Sequence, residues 1–268
     1  MDVITSLQNA RVKQAAKLRE GHARREQGRF VIDGARELLR ALAAGIELDE
    51  VFVCRELCAT EESRQALAKA NKLPRGRIIE VTSAVFGKLS FGERAEGVLG
   101  VAKARTPTLD DLALPDNPLV AVLEGVEKPG NLGAVLRSAD GAGVSAVIVA
   151  EGVTDLYNPN TIRGSLGTIF SLPIAVASSA QTVAWLRERG IRIFAAWVDG
   201  AVDYTTCDYR QPSALVLGSE AKGLSDVWLA GDVTRIRLPM LGIADSLNVS
   251  TAAAVLFYEA LRQRRAER

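Results

Sequence analysis

Strand-like blocks recur at regular intervals through the second half of the chain: LVAVLEGV (119–126), SAVIVA (145–150), IRIFAAWV (191–198), SALVLGSE (213–220) and TRIRLPM (234–240). Helical stretches such as SAQTVAWLRERG (179–190) separate them. Blocks that are apolar at nearly every position need cover on both faces, so this alternation predicts a parallel sheet packed between helices. A long final helix, STAAAVLFYEALRQRRAER (250–268), closes the chain. The first hundred residues read differently. NARVKQAAKLRE (9–20) and GARELLRALAAG (34–45) carry helical periodicity, followed by a strand EVFVC (50–54), a helix around EESRQALAKAN (61–71) and strands GRIIEV (76–81) and GVLGVAKA (97–104). That pattern predicts a smaller α/β domain. Between the two halves, ARTPTLDDLALPDNP (104–118) gathers three prolines with Asp and Asn and reads as a linker. The predicted organisation is a domain at 1–104, a linker at 105–118 and a domain at 119–268.

Composition narrows the class. With 268 residues, 48% apolar and 24% charged, the chain can bury a real core and reads as soluble and globular. No run approaches the roughly 18 apolar residues that cross a bilayer, and MDVITSLQNARVKQ lacks the apolar stretch of a signal peptide, so a cytoplasmic location is expected. Three cysteines, Cys54, Cys58 and Cys207, show neither CxxC pairs nor histidine partners, which supports neither a disulfide framework nor a metal site. His22 is the only histidine and has no nucleophile near it in sequence, leaving Ser-His and Cys-His hydrolase schemes little to work with. The net charge of +1 is uneven: residues 11–29 carry a local balance of +5 and the remainder −4. A cationic arm on a slightly acidic body fits either an anionic partner or a solvated helix face.

Ligands of open parallel sheets gather beyond the carboxyl ends of the strands, and the unusual residues of this chain concentrate there. Three segments qualify: EKPGNLGAVLRSADGAG (127–143), LGSEAKGLS (217–225) and LPMLGIADSLNVSTAAA (238–254). None carries GxGxxG or GxxxxGK[ST], which disfavours a Rossmann dehydrogenase or a P-loop enzyme, while glycine-rich strand ends still admit a flat, nucleoside-like ligand. Each polar residue has a plain structural reading. Asn131 caps the helix that follows it, Arg137 and Arg163 are solvated helix residues, Glu220 complements a helix dipole, and Ser246, Asn248 and Ser250 belong to the start of the last helix.

Together these segments resemble the three ordered motifs of the SpoU/TrmH family of RNA ribose 2′-O-methyltransferases, and NPNTIRGSLGTIFSLP (158–173) resembles the family's segment between its first two motifs. ITSLQNARVKQAAKLR (4–19) and GRFVIDGARELLRALAAGIELDEVFV (28–53) are similar to the ribosomal-protein-like RNA-binding domain many members carry, with Asp33 where a Glu is frequent. The resemblance covers almost the whole chain. It implies an α/β fold whose C-terminal segment is threaded into a deep trefoil knot, a homodimer through that domain, and S-adenosylmethionine as cofactor. It implies a cofactor site at Leu217, Gly218, Ile236, Leu238, Pro239, Ser246 and Leu247, and a catalytic set of Asn131, Arg137, Glu220, Ser246 and Asn248. Arg137 is read as pairing with phosphate and stabilising alkoxide character, because a guanidinium with a pKa above about 12 is a poor base. The N-terminal pattern is shared with members acting on large-subunit rRNA, so 23S rRNA is the expected substrate. A tRNA substrate, or an RNA-binding assembly factor without activity, are the alternatives. Beside an RNA-binding domain, Arg24, Arg25, Arg29, Arg36 and Arg163 become candidate phosphate contacts, and Phe30 is assigned to the core.

Overall fold

A computed structural model describes residues 3–74, 76–91, 95–152, 154–198 and 202–265. Its contacts divide the chain into two compact units, the first comprising Met1–Arg105 with Asp155–Ser171, the second Thr106–Thr154 with Leu172–Arg268.

The first unit opens with helices α1 (Ala10–Lys17) and α2 (Gly21–Gln27), then alternates β1 (Arg29–Asp33), α3 (Ala35–Ala43), β2 (Leu48–Val53), α4 (Glu61–Ala70), β3 (Ile78–Glu80), α5 (Ser83–Leu89) and β4 (Val98–Lys103). The sheet order is β1-β4-β2-β3, with β4 antiparallel to both neighbours and β2 parallel to β3. Strand β1, helices α2 and α5 are elements that the periodicity reading did not separate from their surroundings. Each is five to seven residues long, too short for a helical or alternating pattern to stand out. One core gathers Val12, Leu18, Phe52, Phe86 and Leu99 among others. A Cβ at Gly100 on β4 would lie 2.8 Å from the end of the Leu38 side chain on α3, which would have to shift to admit it.

Strand β5 (Leu119–Glu124), helix α6 (Pro129–Ala142) and strand β6 (Ala146–Ala150) begin the second unit. Helix α7 (Pro159–Gly164) belongs to the first unit, and the chain then returns to the second through β7 (Ile174–Ala177), α8 (Ser179–Glu188), β8 (Arg192–Ala196), β9 (Val202–Asp203), β10 (Ser213–Leu217), β11 (Val233–Arg237) and α9 (Val249–Arg265). Seven strands form one sheet in the order β7-β6-β5-β10-β8-β11-β9, and every pairing is parallel. The expected doubly covered parallel sheet is therefore present: β5, β6 and β10 are buried at every position. The last three residues of the expected final helix, 266–268, lie outside the described residues.

Two boundaries differ from the sequence reading. Residues 106–118 are attached to the second unit rather than free between two bodies: Leu109, Leu112 and Leu114 pack on its core, and the carbonyl of Pro107 accepts from Val176 N at 2.9 Å. Residues 155–171 interrupt the expected continuous 119–268 segment because their apolar side chains find partners in the first unit. Phe30 stacks on Tyr157 with ring centroids 4.1 Å apart and on Phe170 at 6.2 Å, and it is 1% exposed, so its assignment to the core holds.

Candidate functional site

The carboxyl ends of β8, β10 and β11 open into a cavity of about 580 Å³ in the second unit. All seven residues expected to hold the cofactor line it: Leu217 and Gly218 at the end of β10, Ile236 on β11, then Leu238, Pro239, Ser246 and Leu247 on the loop that leads to α9. The volume falls within the range of about 300–1,000 Å³ common to small-molecule sites. Gly218 is required by its surroundings, since a Cβ there would lie 2.3 Å from the carbonyl carbon of Gly223 and 2.6 Å from Leu224 N. The turn therefore closes tightly on the strand end and lines the cavity with backbone. Apolar side chains of Leu217, Ile236, Leu238 and Leu247 stand beside the polar Glu220, Asp245 and Ser246, a mixed lining that suits a flat heterocycle, its sugar and a charged tail, so the residues present fit S-adenosylmethionine.

The far end of that turn is fixed by Glu124, the last residue of β5, which is 4% exposed. Its carboxylate accepts from Ser225 N at 2.7 Å, Ser225 Oγ at 2.7 Å, Trp228 Nε1 at 3.0 Å and Ser179 Oγ. Burial raises the pKa of this carboxyl, but the donors outweigh it and hold the group below the usual carboxylate range.

A second, smaller pocket of about 300 Å³ shares Ser219, Glu220 and Val249 with the first and adds Val126, Glu127, Lys128, Asn131 and Ala221. Here three of the predicted polar residues converge. Asn131 Nδ2 donates to Glu220 Oε1 at 3.0 Å, Asn248 Nδ2 donates to the same oxygen, and Lys128 Nζ donates to Glu220 Oε2 at 3.1 Å. Asn248 Nδ2 also lies 3.4 Å from Asn131 Oδ1. The bond from Lys128 is the main cause that holds the Glu220 carboxyl below its ordinary range, with the Val249 backbone and Asn131 assisting. Glu220 is thus a fixed anion and acceptor, and it is not poised to take up a proton at neutral pH.

The plain readings of these residues are settled individually. Asn131 is not the helix cap: α6 starts at Pro129, whose fixed φ suits the first helical position, so Lys128 is the N-cap and Asn131 lies inside the first turn. Asn248 does cap α9, its Oδ1 accepting from Ser250 N at 3.0 Å and Ser250 Oγ at 2.6 Å, while its amide nitrogen faces Glu220. One side chain therefore serves both purposes. Glu220 complements no helix of its own, since residues 218–225 form a turn bridged from Ser219 to Gly223. It sits instead against the start of α9. Arg137 is exposed on α6, six residues or about 9 Å of helix rise beyond Asn131, and it lines neither cavity. Ser246 is exposed on the rim of the larger cavity. Lys128 was missed by the sequence reading, although a cation directly before a helix-starting proline at a strand end was there to be noticed.

The candidate phosphate contacts separate by exposure. Arg24 is a correction: it is 4% exposed, with Nε on Asp155 Oδ2 at 2.7 Å and Nη1 on the carbonyls of Leu18 and Arg19 at 2.8 Å each. A buried guanidinium with three of its five N–H donors bound to protein serves to hold the fold together. Arg163 is half-buried, donating from Nη1 to Phe91 O at 2.5 Å, and its guanidinium stands 6.0 Å from the Phe91 ring. Arg29 donates to Gln27 Oε1 at 2.8 Å and lies 3.7 Å from Glu50, and Arg36 lies 3.9 Å from Glu62. Arg25 is exposed.

A parallel sheet whose carboxyl edge carries a cleft of small-molecule size sharing a wall with a charge-anchored pocket can hold two ligands side by side. Residues 118–258 match the SpoU rRNA Methylase family and residues 9–100 match the MRM3-like substrate binding domain. The chain is 31% identical, over 97% of its length and 92% of the relative's, to a 23S rRNA (uridine(2479)-2′-O)-methyltransferase of Streptomyces viridochromogenes. Among solved structures, one of an RNA 2′-O ribose methyltransferase is 43% identical with a TM-score of 0.85, covering 98% of this chain and all of that one. The S-adenosylmethionine-bound rRNA methyltransferase of Sinorhizobium meliloti is 31% identical with a TM-score of 0.86, covering 97% of each chain. The chain belongs to the SpoU rRNA methylase family.

Proposed function

We propose that this protein methylates a ribose 2′-oxygen of 23S rRNA with S-adenosylmethionine as the methyl donor. The observation that carries the reading is the wall of Ser219, Glu220 and Val249 common to the two pockets, which brings a nucleoside-sized cleft against an amide and carboxylate cluster suited to a ribose. The cofactor, when bound, supplies an electrophilic methyl carbon on a sulfonium sulfur. The acceptor 2′-oxygen gives a lone pair to that carbon, the carbon–sulfur bonding pair returns to sulfur, and the hydroxyl proton leaves to water or phosphate.

In this reading Leu217, Gly218, Ile236, Leu238, Pro239, Ser246 and Leu247 hold the cofactor. Asn131 and Asn248 orient the ribose, and Glu220 fixes both. Arg137 pairs with the acceptor phosphate and stabilises charge developing on the oxygen, for which a planar, permanently charged fork is suited and a base is not required. Arg25, Arg29 and Arg36 supply phosphate contacts that position RNA without reading its sequence. The resemblance to the family extends the proposal to the trefoil knot and to a homodimer. The dimer is supported by Leu241 and Ile243, which are 100% and 102% exposed on the loop at the cofactor cleft and call for cover.

The test is transfer of radiolabelled methyl from S-adenosylmethionine to separated 23S rRNA, 16S rRNA and bulk tRNA, with 2′-O-methylation mapped in the product. Label is expected in 23S rRNA and should fall by about 100-fold or more in Arg137→Ala, with cofactor affinity unchanged. Label in tRNA alone would overturn the substrate, and absence of cofactor binding would overturn the enzyme reading. An Arg137→Lys enzyme with near-normal turnover would sink the bidentate role of the guanidinium.

A further inference from the structure

Four polar side chains from three separate segments meet at Glu220: Lys128 and Asn131 line the smaller pocket with it, and Asn248 reaches its carboxylate from the start of α9. Both Asn131 and Asn248 turn their amide nitrogens to Glu220 Oε1, because a carboxylate oxygen repels a carbonyl oxygen and attracts an N–H. Asn248 Oδ1 is then occupied by Ser250 N and Ser250 Oγ. Asn131 Oδ1 is left with a single contact, the 3.4 Å approach of Asn248 Nδ2, and so retains accepting capacity beside the pocket its residue lines. The other carboxylate oxygen, Oε2, is held by Lys128 Nζ at 3.1 Å. Lys128 is 74% exposed, but it is the charged side chain hydrogen-bonded to Glu220, and it stands on the N-cap of the helix that carries Asn131. Glu127, also exposed and on the same pocket wall, is the nearest carboxylate in sequence.

We infer that Lys128 is a positioning residue for the acceptor: by anchoring Glu220 it sets the orientation of the Asn131 carboxamide, whose Oδ1 accepts a hydrogen bond from the ribose 2′-hydroxyl. The inference rests on the methyl-transfer reading above and assigns the acceptor geometry within it. An internal nucleotide has its 3′-oxygen esterified, so the 2′-hydroxyl is the ribose donor available to an amide carbonyl. A hydroxyl that donates to Asn131 Oδ1 directs its proton away from the methyl group and leaves a lone pair free to attack. Alignment of this kind acts on turnover more than on RNA affinity.

The experiment uses the full chain as Lys128→Met, Lys128→Arg, Glu220→Gln and the Lys128→Met/Glu220→Gln pair, with transcribed 23S rRNA and S-adenosylmethionine. Lys128→Met should lower kcat by about tenfold or more with KM for RNA and Kd for cofactor within about twofold. Lys128→Arg should recover most of the loss, Glu220→Gln should match it, and the pair should be no worse than either single change. Assigned side-chain amide resonances of Asn131, recorded without RNA, should shift in Lys128→Met and return in Lys128→Arg. An unchanged kcat would overturn the inference, as would losses that multiply in the pair. So would a loss confined to KM with a flatter salt dependence, since Lys128 would then bind phosphate directly. If the wild-type chain methylates no RNA, the methyl-transfer reading has failed, and the amide resonances still decide whether Lys128 orients Asn131.

Discussion

At the scale of single residues, the same carboxylate chemistry takes opposite directions according to its partners. Glu124 is buried with four donors around it and stays ionised. Asp33, 7% exposed at the end of β1, has the Phe91 N–H as its hydrogen-bond donor, and burial pushes its carboxyl from 3.8 to about 6 despite that bond and the charges of Arg163 and Arg19. Glu96 adds negative charge nearby, and Glu37, which also feels Glu96, is itself raised by burial. The folded chain therefore binds a proton at Asp33 that the unfolded chain has released. The stabilisation is complete below 3.8 and is lost as pH rises through about 6. Across that window it amounts to about 3 kcal/mol. Asp33→Asn, which keeps an acceptor for Phe91 N, should remove this part of the slope. Urea unfolding at pH 4 and pH 7 should then show the variant gaining on the wild type at the higher pH. In the sequence Asp33 was visible only as a mild departure from a frequent Glu, because nothing local announces burial.

At the scale of elements, the site is made by the ends of strands and by the starts of helices. The sheet edge at β5, β10 and β11 was legible in the sequence, since strand blocks followed by glycine-rich segments gather ligands at their carboxyl ends. The start of α6 was not, because Asn is a strong cap former and its preference competed with the preceding Pro-Gly pair. The Gly218 turn closes on the end of β10 at the proposed cofactor cleft: a methyl group there meets backbone atoms at 2.3 and 2.4 Å, which no side-chain rotation relieves. Gly218→Ala should weaken S-adenosylmethionine binding by about tenfold or more, measured by calorimetry, while the first unit retains its structure by amide exchange. Normal cofactor affinity in that variant would remove Gly218 from the site.

At the scale of the whole molecule, the chain commits a loop of one sequence half to the core of the other. Residues 155–171 leave the parallel-sheet unit and complete the first one through Phe30, Tyr157, Phe170 and the Arg24–Asp155 pair. That segment explains why two of the predicted phosphate contacts, Arg24 and Arg163, are occupied by protein. The proposed homodimer belongs to this scale as well. Light scattering should give twice the chain mass of 28.7 kDa, and a monomer at working concentration would leave Leu241 and Ile243 without the cover assigned to them. Among the described residues no helix is long and apolar enough to cross a membrane.

The residues proposed for the cofactor and the acceptor came from the family resemblance; the sequence by itself determined the parallel sheet and the positions of the three glycine-rich motifs. Each of these follows from local periodicity or from motif spacing, which survive in one dimension. Only the tertiary structure decided that Arg24 is a buried strut, that Lys128 anchors Glu220, and that residues 155–171 belong with the first unit. These depend on partners up to 131 positions away in the chain, such as Asp155 for Arg24, and burial or pairing at that separation leaves no trace in a local pattern.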